Sequence, residues 1–537
     1  MSDIFEDYDM LVAVNQKTVN AQLARLAAGG AIPGSITLYR QDQHGTSTYK
    51  LVSQLSDVPA GCEYLDVQLQ PQIMIAQSGT QVNLVLKFIG GTACLSNGAG
   101  PLAKLQHYDA AGWEYGLVVS LSLAETGAVD TRLPAPLQQQ LTNFQSAMFS
   151  VNSLFADLAA VTQEQFSSAV VKAGDQASTD ALTFFMTFYI KSLIAAGSPY
   201  ILGYTVVATT ATSPSAIVVP DTLLPTASTF TLVKNDDPDH SCLVYALATR
   251  GCHNTLSGSP VNLPDGWGSD IATAQLWYAP AALTVPLLLK PIYDQLSAQT
   301  FANVSQNLDS IDAGSPWSSQ ITAASNGEWN FNISNQNSDD DNRYDNGFKA
   351  NTVSAWQGNI IPLFQGGTQF GFPSWDEPPD GPGLTLNGAI YVFKQNTTSW
   401  GPFGNAQAWA SSQINWSGKV TLSVGPDGAL GIDSCLTGSN RNDHSGHNFG
   451  ASLDEVLGDI ANIAGSLVGG GGGSLGNVFS GLLQNTTIDK IWSLSSVFSN
   501  LRGPATHTVM LPAGDVFKFG GIDCHPSGAI SIDLDYP

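Results

Sequence analysis

Ser474 stands in Gly472-Gly473-Ser474-Leu475-Gly476, the G-x-S-x-G spacing in which a strained strand-to-helix turn lifts a serine hydroxyl toward a histidine and an oxyanion hole. That chemistry needs a buried strand ahead of the serine. Here a helix-like stretch and a run of glycines come first, and such a run produces the spacing by composition, so no hydrolase site is predicted. Asp443, His444 and His447 offer carboxylate and imidazole, groups suited to zinc. No H-E-x-x-H helix accompanies them, and the surrounding Asn, Gly and Ser residues predict a solvated loop without metal. Asp339, Asp340, Asp341 and Asp345 are oxygen ligands of the kind calcium prefers, but Asn346-Gly347 follows without the bidentate glutamate of a calcium loop. A charged surface turn is the expectation there. Trp317, Trp329, Trp356, Trp375, Trp400, Trp409 and Trp416 could form flat apolar platforms for sugars or a membrane interface, although indoles more often fill cores. No phosphate loop, dinucleotide fingerprint or basic stripe occurs, and neither a cofactor nor a metal is predicted.

Whatever these residues do, the rest of the chain must position them. With 537 residues, 43% of them hydrophobic and only 12% charged, it can bury more than one core. The formal charge of −24, from 44 acids against 20 bases, repels phosphate backbones and disfavours nucleic acid as a partner. Many neutral polar residues and 53 glycines suit a sheet-rich protein. The six cysteines, Cys62, Cys94, Cys242, Cys252, Cys435 and Cys524, form no CxxC pair and are expected to be free, mostly buried thiols. No segment reaches the roughly 20 apolar residues that span a bilayer. The start, MSDIFEDYDM, is acidic where a secretory signal is basic, which predicts synthesis in the cytoplasm and leaves an unconventional release route open.

Leu11, Val12, Val14, Val19, Leu23 and Leu26 recur at spacings that predict a helix from about Asp9 to Leu26, followed by a strand at Ser35–Tyr39. Val82, Leu84, Leu86 and Phe88 alternate with polar residues, as do Tyr115, Leu117, Val119, Leu121 and Leu123, so an antiparallel meander with one wet face is expected. Between Leu137 and Leu158 the apolar residues sit three or four apart, which predicts a long amphipathic helix. A second helix is predicted from about Thr179 to Ala196, stopped by Gly197-Ser198-Pro199 and followed by extended chain from Tyr200 to Val207. A Gly, Ser, Pro and Asn-rich stretch at 255–270 marks a seam, which divides the chain into halves at 1–265 and 266–537. Beyond it come a proline-punctuated apolar segment at Leu283–Leu296, a Trp- and Asn-rich region, and a hairpin turning at Pro426-Asp427-Gly428. Helices are expected at Asp454–Val468 and Ile488–Leu501 on either side of the linker Gly469–Gly473, and a closing strand runs through Ile530, Ile532, Leu534 and Tyr536.

Several dispersed blocks resemble the clostridial P47 proteins of the tubular lipid-binding (TULIP) superfamily. They are Asp9–Val14 leading to Val19-Asn20 and Leu23; Pro199–Tyr204, Leu224-Pro225-Thr226, Phe230 and Leu243–Leu247; and Leu511–Phe519 closing on Ile532–Tyr536. The resemblance implies an elongated α+β architecture of two TULIP-like halves, in which long helices are cradled by highly curved antiparallel β-sheets. It implies no catalytic residue, a lipid or other hydrophobic molecule as ligand, and a role as accessory to a bacterial toxin. Toxin components or related TULIP proteins would be its partners, with peripheral membrane contact open.

These expectations converge on a non-catalytic binding protein whose groove between helix and sheet admits an acyl chain. Its lining would be Val82, Leu84, Leu86, Phe88, Leu117, Val119 and Leu121 on the sheet, with Phe184, Phe185 and Phe188 on a helix. The competing expectation is that the same residues fill a closed core. The alternative function is a membrane-active or protein-binding toxin component that carries no lipid.

Overall fold

The computed structural model describes residues 5, 8–43, 46–97, 104–126, 149–162, 165, 169–197, 200–208, 223–250, 256, 261–279 and 282–283; in its later part it describes 349–357, 361–370, 374–376, 383–399, 405–424, 430–447, 505–506, 509–511, 517–525 and 529–535. Two compact units divide the chain. One comprises residues 2–277, 492–520 and 532–537, the other residues 278–491 and 521–531.

A seven-stranded sheet has the order β11 (Pro225–Val233), β12 (Cys242–Thr249), β1 (Met10–Asn15), β13 (Ala274–Tyr278), β23 (Ile530–Asp535), β22 (Phe517–Cys524) and β20 (Ala505–Thr506). Every residue of β1 and β12 is buried, and the two run antiparallel from Met10↔Leu247 to Asn15↔Cys242. A strand covered on both faces has no polar side to present, so it reads as an unbroken apolar run. This corrects the helix expected over Asp9–Leu26: Leu11, Val12 and Val14 belong to β1, and helix α1 spans only Gln16–Ala28. Asn15 makes the division, because its side-chain oxygen accepts from the Thr18 amide at 2.8 Å and starts the helix.

A ten-stranded sheet carries β21 (Val509–Met510), β10 (Ile201–Ala208), β8 (Phe149–Ala156), β7 (Glu114–Thr126), β5 (Gln81–Asn97), β4 (Glu63–Met74), β2 (Ser35–Gln43) and β3 (Thr46–Val52) in that order. Alongside them β6 (Lys104–Asp109) pairs with β5 and β9 (Val170–Lys172) with β7. Here the helix expected over Leu137–Leu158 is also corrected. Val151, Leu154 and Phe155 lie on β8, which is held by β7 on one side and β10 on the other, and a short 3-10 turn follows at Leu158–Ala160. Pairing on both edges overrides a local helical spacing. Residues 137–148 lie outside the described residues.

Helix α2 (Gln176–Ala196) forms where a helix was expected. Asp175 accepts from the Ser178 amide while Ser178 Oγ accepts from the Asp175 amide, a reciprocal cap, and Gly197 at φ 100° closes the other end in the left-handed region. No helix among the described residues is long and apolar enough to cross a membrane.

In the other unit a six-stranded sheet has the order β14 (Lys349–Gln357), β15 (Ile361–Phe370), β17 (Gly383–Ser399), β18 (Asn405–Val424) and β19 (Leu430–His447), with β16 (Ser374–Asp376) on β17. The expected hairpin is present, pairing Val424 with Leu430 and Leu422 with Ile432. Asp443, His444 and His447 sit on β19 opposite Ser412, Ser411 and Ala408, which corrects the loop expected for them; the long pairing with β18 extends well past the turn. Trp356, Trp375, Trp409 and Trp416 fall on β14, β16 and β18. Trp317, Trp329 and Trp400, the Asp339–Asp345 cluster, Ser474 with its glycines, and the helices expected at 454–468 and 488–501 lie outside the described residues, as does all of 283–296 except Leu283. The fold is α+β, with mostly antiparallel sheets, one of them curled into a half-barrel, and few helices, as the sequence predicts.

Candidate functional site: the sheet face beneath helix α2

Alternation along β4, β5 and β7 builds one continuous apolar face. Register places Ile73, Leu84 and Leu117 in one row and Pro71, Leu86 and Tyr115 in the next, with Val82 beside Val119. A bulge at Ile89 shifts the side-chain parity of β5, so the even positions Val82–Phe88 and the odd position Ala93, paired with Leu65, continue the same inward face. Gly91 permits that bulge. It has φ 116°, and a Cβ there would lie 2.3 Å from the Asp66 carbonyl oxygen.

Helix α2 packs against β2, β3, β5, β7 and β9. Its buried stripe is Leu182, Phe185, Met186, Tyr189, Ile190 and Leu193. Tyr49 on β3 meets Phe185 edge-on at a centroid distance of 5.1 Å and Phe188 at 5.7 Å. Past Tyr49 the same face turns polar. Arg40, paired across the strands with Tyr49 and with Glu63, is held by Glu63 at 2.8 Å and Asp42 at 3.1 Å.

The structure therefore brings together most of the residues singled out from sequence. Val82, Leu84, Leu86, Phe88, Leu117, Val119 and Leu121 are all at most 6% exposed, and Phe185 is buried against Tyr49. Phe188 is half-buried. Phe184 is not a lining residue: it is 63% exposed, one position off the inward stripe. Because water has almost no access to the strand side chains, the face is a closed, packed layer.

Sequence reasoning missed the polar atoms in this layer. The hydroxyls of Tyr115, Tyr189 and Tyr200 are buried without a hydrogen-bond partner among the described residues. Burial raises the Tyr115 hydroxyl above its ordinary range, partly offset by the Thr187 side chain of α2; it pushes Tyr189 up to about 12 and Tyr200 well above its usual value. The one available signal was a tyrosine at an inward position of an otherwise aliphatic pattern.

Two other groups carry side chains capable of chemistry. His525 Nε2 lies 2.8 Å from Ser531 Oγ, but Ser531 is 1% exposed within β23, so its hydroxyl meets no substrate. Cys62, Cys94 and Cys242 are free thiols; burial raises Cys94, with Glu63 adding to the effect, and raises Cys242 to about 12, so neither is an activated nucleophile. No group of three metal-ligating side chains occurs among the described residues.

The chain is similar to P47 of Clostridium botulinum E1, with 10% identity, a TM-score of 0.45 and 99% of each chain covered. P47 from Clostridium botulinum A2 gives 10% identity and a TM-score of 0.43 over 99% of this chain and 98% of that one. P47 is the family that the dispersed sequence blocks resemble. A crystal structure of lipopolysaccharide binding protein is a more distant likeness, with 7% identity, a TM-score of 0.28 and 99% of each chain covered. No family model and no curated protein matches the chain.

Proposed function

We propose that this chain is a non-catalytic binding protein for a lipid-like molecule, taken up between α2 and the apolar face of the ten-stranded sheet. The observation that supports it is that face: β4, β5 and β7 carry continuous aliphatic rows, and beneath α2 the layer holds buried hydroxyls with no hydrogen-bond partner among the described residues. A guest gains roughly 25 cal/mol for each Å² of apolar surface it removes from water. Since these side chains are packed against one another and against α2, uptake requires α2 to move outward, and the affinity is the difference between guest burial and the helix packing it replaces. Native mass spectrometry of the purified protein, before and after lipid extraction and reloading, tests this. A bound mass that is removed by extraction and restored by lipid is expected, and a chain that never carries or takes up lipid would sink the proposal. A role beside a toxin rests on the sequence blocks alone, and pull-down from the native host tests it.

A further inference from the structure

Tyr189 and Tyr200 lack what buried hydroxyls almost always have. Tyr189 lies on the inward stripe of α2 at 2% exposure, and Tyr200, just ahead of β10, is at 0%. Neither oxygen has a hydrogen-bond partner, yet each hydroxyl is close enough to the other to influence its ionisation. The two hydroxyls are therefore neighbours. Both remain protonated through the physiological range, and since two phenols can satisfy at most one of their own two O–H groups, at least one donor is left without an acceptor among the described residues.

The surroundings narrow what the acceptor can be. Leu182, Phe185, Met186, Ile190 and Leu193 share the inward stripe with Tyr189. Asp9 is the one fully buried charged side chain among the described residues, and it is bound to Thr249 in the other sheet. Arg40, at the polar end of the face, is already neutralised by Glu63 and Asp42. An anionic headgroup would lose its hydration here with no buried cation among the described residues to offset the loss. A neutral carbonyl accepts two hydrogen bonds and carries no such penalty.

We propose that Tyr189 and Tyr200 form the polar anchor of the guest site, donating their hydroxyls to the carbonyl oxygen of an uncharged, ester-linked acyl lipid. The assignment rests on the binding function proposed above and names its ligand class.

The test uses the full, delipidated chain and three probes of matched chain: monoolein, its hydrocarbon counterpart heptadecene, and oleate, each titrated by native mass spectrometry at neutral pH. Monoolein is expected to bind tightest and oleate more weakly than monoolein. Tyr189→Phe and Tyr200→Phe should each weaken monoolein about tenfold and leave heptadecene unchanged, since one buried hydrogen bond is worth about that factor. The lipid-free variants should unfold at the same temperature as the parent or higher, because each substitution removes an unpaired buried hydroxyl. Equal loss of monoolein and heptadecene in the variants, no preference for monoolein over heptadecene, or oleate binding more tightly than monoolein would each overturn the anchor while leaving lipid binding intact. If none of the three probes binds the parent chain, the proposed function fails together with the anchor.

Discussion

The two sheets of residues 2–277 and their C-terminal strands solve burial in opposite ways. Inside the seven-stranded sheet, β1 and β12 are buried throughout, whereas β4 alternates inward and outward positions and β5 does so over Gln81–Phe88. A doubly covered strand can change nothing on either side without disturbing a core. A singly covered one keeps a free face, and its inner face is covered by helices, α1 over β4 and α2 over β5. That asymmetry is why the proposed guest site is placed on the ten-stranded sheet.

The most severe challenge to this contrast is a charge at the centre of the doubly covered sheet. Ala246→Asp should cost more than about 4 kcal/mol and leave no cooperatively folded protein by circular dichroism, because the carboxylate has neither water nor a partner. Gly91→Ala comes next, at about 3 kcal/mol or more in chemical denaturation, since the added carbon meets the Asp66 carbonyl in a backbone region that favours glycine. Survival of that variant at parental stability would remove the bulge as the device that keeps the inner face continuous.

Adjacent substitutions sharpen the comparison further. Leu84→Ala should cost about 3 kcal/mol, while its neighbour Asn83→Ser stays within about 0.5 kcal/mol. In β12 the neighbours Leu243→Ala and Val244→Ala should both be costly, at about 2–4 kcal/mol. A smaller effect is expected at alkaline pH. Tyr189 and Tyr200 ionise later in the folded chain than at the ordinary value near 10, so the unfolded state loses its protons first and stability falls as pH rises past about 10. Ultraviolet difference titration should show late-ionising tyrosines that titrate normally in denaturant.

What was legible in the sequence follows the same divide. The inner face of β5 and β7 and the hairpin of β18 and β19 were readable because one-sided burial imposes alternation, and α2 because its caps are local. β1 was not, since burial on both faces erases the period of two and leaves a run that also fits a helix. β8 was misread because its helical spacing competes with two strand partners that lie far away in sequence. Hydrophobicity placed Phe184 in the lining, whereas the phase of the helix, set by its caps and packing, turns it out. The sequence marks an inward tyrosine but not that its hydroxyl goes unpaired, because that peculiarity lies in what it fails to touch.

The make-up of the seven-stranded sheet also governs when it can be finished. Its strand β13 ends at Tyr278, but the neighbour that covers one side of it, β23, begins only at Ile530. At ordinary rates of translation the ribosome needs on the order of tens of seconds to supply the intervening chain. Throughout that interval Ala274–Tyr278 offers a ladder of unpaired amides and carbonyls to anything nearby, so the nascent protein passes through a stage at which a chaperone and a sticky neighbour compete for the same vacant seat.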